Sequence, residues 1–120
     1  PHLSIEGVGR TLKSRNAKRR IPLVGISLAA FQSCPDGFPR YRDKPGLSAT
    51  VNKYLRENGL CETEGHTLYC LRHSFEDRMI AANVDPRIRA DLFGHALDRE
   101  RYGAGASLEQ TRNILKVFAL

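Results

Sequence analysis

The chain has 120 residues, 41% hydrophobic, 27% charged and 8% aromatic, a composition that fits one globular domain or part of one and excludes disorder, collagen and fibrous repeats. Nineteen Lys and Arg against thirteen Asp and Glu leave a formal charge of +6, which favours a polyanionic partner. No run approaches the roughly 18 apolar residues of a membrane span, and Pro1-His2-Leu3-Ser4-Ile5 is not a basic stretch leading into an apolar one, so a non-membrane, unsecreted protein is expected.

In chain order, Leu3-Ser4-Ile5, Thr11-Leu12-Lys13 and Ile21-Pro22-Leu23-Val24 read as short strands around a polar hairpin with its tip at 14–18. Between Arg10 and Arg20 stand six basic residues, Arg10, Lys13, Arg15, Lys18, Arg19 and Arg20, and no acidic one. This stretch carries the whole charge excess and reads either as a phosphate-contacting surface or as a solvated loop. A helix is expected over 27–33, and Pro and Gly punctuate 34–46 into a loop. A second helix over 48–58 places Val51, Tyr54 and Leu55 on one side, with Gly59 as its stop.

The clearest periodicity lies in 67–83, where Leu68, Leu71, Phe75, Met79 and Ala82 fall within an arc of about 80° and predict a buried stripe. Arg72 stands at the edge of that stripe, Tyr69 and Glu76 further round on the same side, and His73 nearly opposite, so Arg72 and Tyr69 can line a cleft beside the core. Asp85-Pro86 supplies an N-cap and a first-turn proline, Ile88 and Leu92 an apolar pair, and Gly94 a stop that often needs positive φ, which puts His95 just past a helix end. Gly103 and Gly105 make the connection 98–106 mobile. Ser107 and Gln110 have capping-box spacing and open a helix with Leu108, Thr111, Ile114, Leu115 and Phe118 on one face.

Cys34, Cys61 and Cys70 are an odd number at irregular spacing, which argues for a reducing compartment and against a disulfide framework. Cys61, His66, Cys70 and His73 put two Cys and two His within thirteen residues, but C-x4-H and C-x2-H do not repeat the paired knuckles of structural zinc sites. Buried Cys and hydrogen-bonded His are the favoured reading, and no metal is expected. The ionisable candidates at helix edges and in loops are Lys13, Tyr69, Arg72, His73, His95 and Tyr102, with no paired carboxylates among them. Such a set suits phosphate chemistry: Arg clamps phosphate oxygens, His and Lys move protons, and Tyr can be a covalent nucleophile. Taken singly, each has a structural alternative: a surface ion pair for Arg72, a helix C-terminal cap for His95, a packing role for Tyr102.

Order and spacing add a resemblance that covers nearly the whole chain. The segment from Lys13 to Pro22 resembles the β-hairpin of the tyrosine recombinases, the phage-integrase family, in which a lysine precedes a polar turn and a basic strand ending in Ile/Val-Pro. Leu71-Arg72-His73-Ser74-Phe75 resembles that family's second arginine box, Leu92-Phe93-Gly94-His95 its Leu-Leu-Gly-His segment, and Tyr102 falls where the family places its nucleophile. Arg72, His95 and Tyr102 follow the family's order, 23 and then 7 residues apart.

The resemblance implies a mainly helical α+β catalytic domain with a small N-terminal antiparallel sheet. It also implies cleavage and rejoining of double-stranded DNA, with no metal or other cofactor. Tyr102 would attack a scissile phosphate to give a 3′-phosphotyrosyl link and a free 5′-hydroxyl. Arg72 would neutralise the transition-state charge, His95 would bond the same phosphate or assist proton transfer, and Lys13 would protonate the leaving 5′-oxygen. Arg10, Arg15, Lys18, Arg19, Arg20 and His73 would contact DNA. The family works as tetramers on two duplexes, which implies a homotetramer and a cytoplasmic, nucleoid-associated protein of a bacterial mobile element.

Two departures qualify this. Tyr69 stands where the second box begins with His in the family and would take that catalytic place as a phenol that hydrogen-bonds the phosphate, and the helix bearing the first-box Arg would precede residue 1. Residues 1–120 are therefore expected to be most of one catalytic domain, without the first catalytic Arg or any N-terminal DNA-binding domain. The alternatives are a degenerate domain that binds DNA without cutting it, and a helix-turn-helix regulator with Arg87 and Arg89 facing DNA.

Overall fold

The computed structural model describes residues 1–9 and 11–120. Among these it contains two strands, β1 (His2–Ile5) and β2 (Arg19–Pro22), and five α-helices: α1 (Gly25–Ser33), α2 (Leu47–Glu57), α3 (Cys70–Ala81), α4 (Pro86–Phe93) and α5 (Leu108–Lys116). The architecture is thus mainly helical α+β. No helix of the described residues is long and apolar enough to cross a membrane.

The strands pair antiparallel, His2 opposite Pro22 and Ile5 opposite Arg19. Thr11–Lys13 forms no strand, contrary to expectation, and the tip of the hairpin is a 3-10 turn over Arg15–Ala17. Leu12 is the only large apolar side chain of that segment, so a third strand would bury little to offset the ordering of its backbone. Residues 34–46 are irregular except for a 3-10 turn at Pro39–Tyr41.

The core forms where β2, α3, α4 and α5 meet. Met79, Val84, Leu92, Phe93 and Leu115 are buried, with Ile21, Phe75, Ile88, Ile114 and Phe118 packed around them. The expected face of α5 is borne out, since Thr111 and Leu115 are buried and Leu108, Ile114 and Phe118 half-buried. The expected stripe over 67–83 holds except at Leu71: Met79 is buried and Leu68, Phe75 and Ala82 are half-buried, but Leu71 is exposed. The helix also starts at Cys70 rather than Thr67. The turn before it is tied elsewhere, because the Asn52 side chain of α2 accepts from the Leu68 amide at 2.7 Å. On α2, Val51 and Leu55 are half-buried whereas Tyr54 points outward.

The helix ends obey local rules. The Asp85 carboxylate accepts from the Arg87 amide at 2.7 Å with Pro86 at the first helical position, and Ser107 and Gln110 cap each other's amides at 3.1 and 2.8 Å. After α3 the chain turns through Asn83 at φ 54, where the Asn83 and Val84 amides donate to the Ile80 and Met79 carbonyls. This is a Schellman closure whose accompanying apolar contact is the buried pair Met79 and Val84. Gly94 closes α4 in the same way at φ 69, with the His95 amide donating to the Ala90 carbonyl at 2.9 Å.

Gly94 is required twice over. A Cβ there would stand 2.6 Å from Arg19 Nη1 and 3.0 Å from the Asn16 carbonyl, besides adopting a left-handed conformation. Gly94→Ala should therefore cost about 2 kcal/mol in urea unfolding; an unchanged midpoint would mean that the hairpin does not need this close approach.

Candidate functional site

Three segments remote in sequence bound one cleft of about 720 Å³. The chain before the 3-10 turn contributes Lys13, α3 and its leading turn contribute Tyr69, Arg72, His73 and Glu76, and the end of α4 contributes Phe93 and His95. Lys13, Tyr69, Arg72 and His95, four of the five expected catalytic residues, are thereby brought together.

Phe93 is the floor on which the charged groups are arranged. Its ring is buried, packs edge-on against Phe75 at 5.6 Å and stacks on the His95 imidazole at 5.5 Å. The Arg72 guanidinium lies 4.4 Å above the ring centre, a cation–π contact that fixes its plane. One Arg72 nitrogen stands 2.7 Å from His95 Nε2. Arginine can only donate, so Nε2 accepts and neutral His95 carries its proton on Nδ1. Protonating His95 would turn that acceptor into a donor and set two cations against each other. Tyr69 and His73 pack edge to face at 5.4 Å along the rim.

Electrostatically the cleft is cationic. Among the described residues Glu76 is its only lining carboxylate, and that group sits 4.0 Å from Arg89. Among the described residues neither Lys13 nor Arg72 has a carboxylate partner. Burial, and secondarily the Arg72 charge, hold the Arg19 guanidinium below its ordinary pKa. An arrangement of this kind can bind an anion that accepts from Arg72 and Lys13, and from His95 Nε2 when that nitrogen carries a proton.

Tyr102 is separated from this group. It is 76% exposed, does not line the cleft, and its hydroxyl donates to Glu100 Oε2 at 2.7 Å. That bond raises the phenol above its ordinary pKa. The loop carrying it is clasped to α4: Arg87 donates to the Tyr102 carbonyl and, at 2.8 Å, to that of Gly103, while Arg101 pairs with Asp91 and reaches the His95 carbonyl at 3.4 Å. Arg87 and Arg89 are half-buried and bonded within the chain rather than presented outward, which removes the feature that favoured a helix-turn-helix regulator.

Of the other expected DNA contacts, Arg15, Lys18, Arg20 and His73 are exposed, and Arg10 lies outside the described residues. Arg19 is half-buried, with Nε donating to the Leu92 carbonyl at 2.9 Å and Nη1 to that of Ala17 at 2.8 Å. In the Cys–His cluster His66 Nδ1 faces Thr63 Oγ1 at 2.8 Å and Cys70 Sγ accepts from the Thr67 amide at 3.4 Å. Contrary to expectation, the cysteines are half-buried rather than buried, and His73 is exposed, packing on Tyr69 instead of making a side-chain hydrogen bond among the described residues. Among the described residues no group of three or more His, Cys, Asp or Glu could hold a metal ion. Phe93, Glu100, Arg87 and Arg101 are the residues that pattern reading missed. Only Phe93 had a signal, its place directly before Gly94-His95 on a helix end.

The chain has four tyrosines and no tryptophan, so phenol ionisation can be followed by absorbance near 295 nm. A neighbouring carboxylate disfavours phenolate, and Glu100→Gln should move one phenol to lower pH, a shift absent in a Tyr102→Phe background. Superimposable titrations would rule out the Tyr102–Glu100 bond. No protein-family model, curated protein or solved structure matches the chain, so the cleft's own residues carry the functional reading.

Proposed function

We propose that the chain is the catalytic-domain part of a tyrosine recombinase with an integrase-type fold, which cleaves and rejoins double-stranded DNA and assembles as a homotetramer on two duplexes. The observation that carries this reading is the convergence of Lys13, Arg72 and His95 on one cationic cleft from segments far apart in the chain. Those are the residue types that a metal-independent phosphoryl transfer needs, in the order that the resemblance requires.

In this reading the scissile phosphate displaces the direct Arg72–His95 contact, accepting from Arg72 and from His95 Nε2 once that nitrogen carries a proton. Arg72, already oriented by the Phe93 ring, meets the charge that grows on the non-bridging oxygens in the transition state. The Tyr102 phenol gives up its proton to solvent or to His95 Nε2, its oxygen forms a bond to phosphorus as the bond to the 5′-oxygen breaks, and Lys13 delivers a proton to that leaving oxygen. The phenol must first leave Glu100 and reach the cleft, a motion that the glycines at 103 and 105, both at positive φ, make sterically open. The reverse attack by a partner strand's 5′-hydroxyl completes transfer.

A second reading, a domain that binds DNA but does not cut, is favoured by the position of Tyr102 outside the cleft and by Tyr69 at the rim. Incubation with a nicked duplex carrying the attachment site, in EDTA, separates the two on a denaturing gel. A covalent protein–DNA adduct lost in Tyr102→Phe supports the recombinase; binding without any adduct supports the degenerate domain. Arg72→Ala should slow adduct formation about 100-fold or more while DNA affinity stays within a few-fold, because one phosphate contact is a small part of counterion release and a large part of transition-state binding. Equal loss of both would refute that role for Arg72.

A further inference from the structure

A second polar pocket, of about 310 Å³, lies on the other side of the Arg19 side chain from the cleft. Arg19 and His95 line both spaces, but the remaining cations are different: Arg15 on the 3-10 turn, Lys18 after it, Arg20 on β2 and Arg101 on the loop before Tyr102. The pocket's one carboxylate, Asp91, is taken by Arg101. Among the described residues Arg15, Lys18 and Arg20 have no carboxylate partner, and all three are exposed, so none is held back by burial. Two arginines and a lysine converge on a concave space whose only acid is neutralised, with a further half-buried guanidinium behind them.

Like charges gathered this closely repel one another, and without an anion only solvent and salt screen them. A surface that merely kept the protein soluble would spread its cations; here they come from three successive pieces of backbone and line one open pocket. The volume is large enough for a phosphate or diphosphate group, and Arg15, Lys18 and Arg20 in its lining carry the donors such a group needs. Ile88, Leu92 and Leu108 also line the pocket, and charge-assisted hydrogen bonds are the strong ones.

We infer that this pocket is a phosphate-binding site distinct from the cleft, in which Arg15, Lys18 and Arg20 hold one phosphate group of a DNA backbone or of a small phosphorylated ligand. The inference stands on the pocket's own cations and holds whether or not Tyr102 cleaves DNA.

Calorimetric titration with pyrophosphate tests it on the chain as it stands. The wild type should take up pyrophosphate at two sites; Arg72→Ala should keep the pocket's site, and Lys18→Ala/Arg20→Ala should weaken that site about tenfold or more. Arg15→Gln, on the exposed turn, provides a second, single substitution should the double variant fold poorly. If binding at the pocket is unchanged in both, or if Arg72→Ala abolishes all uptake, the inference is overturned. Duplex binding across a salt series then distinguishes the sources. A slope reduced by about two in the double variant assigns the pocket to DNA backbone phosphates. An unchanged slope with lost pyrophosphate binding assigns it to a free phosphorylated ligand.

Discussion

The guanidinium of Arg19 sits between β2 and the last turn of α4, bonded to the carbonyls of Leu92 and Ala17. A helix leaves its final carbonyls without partners and its C-terminus partly negative, so a cation there satisfies a hydrogen bond and a charge at once. The consequence is geometric. By holding the 3-10 turn against the end of α4, Arg19 fixes Lys13 on one wall of the cleft relative to His95 on the other, and it forms the partition between the cleft and the second pocket. Gly94 is the complement of this contact, because its missing Cβ is what lets the Arg19 head and the Asn16 carbonyl approach.

The same partition concentrates positive charge. Arg19 and Arg72 are close enough for one to depress the pKa of the other, and Arg72 lies over the Phe93 ring, where one face of its guanidinium is shielded from water. Guanidinium groups stay protonated, so the cost cannot be relieved by losing a proton. It is relieved by an anion. Binding of phosphate should therefore add to the stability of the folded chain by mass action as well as fill the site. Phe93 connects the two effects, since one ring is both a buried member of the core and the surface on which Arg72 and His95 rest.

Local chemistry was the most legible part of the sequence. Asp85-Pro86, Gly94, and Ser107 with Gln110 each specify a helix end through bonds made within a few residues, and each forms as expected. The placement of Tyr69 and Arg72 beside a cleft was legible too, because helical angles follow from spacing alone. Leu71 and Thr11–Lys13 were not: whether an apolar residue or a short segment is covered depends on what packs against it, and α4, α5 and β2 cover only the C-terminal half of α3. Arg19 shows the limit most sharply. In the sequence it is one of six cations in a run, and nothing in that run distinguishes the half-buried residue that binds backbone carbonyls from the exposed ones around it.

Tyr102 and the cleft belong to different mechanical units under the proposed chemistry. The cleft is set by helices packed on the core, whereas Tyr102 rides a loop attached to α4 through the Arg87 and Arg101 side chains. Glu100, two residues away, travels with it. A carboxylate carried into the cleft would meet the scissile phosphate as a like charge, and a phenol bonded to that carboxylate is held in its neutral, weakly nucleophilic form. Under the proposed chemistry the Tyr102–Glu100 bond would have to break before the oxygen reaches phosphorus. In that proposal a phosphate seated on Arg72 and Lys13 would repel the Glu100 carboxylate, while the same two cations would favour the phenolate once Tyr102 reached them.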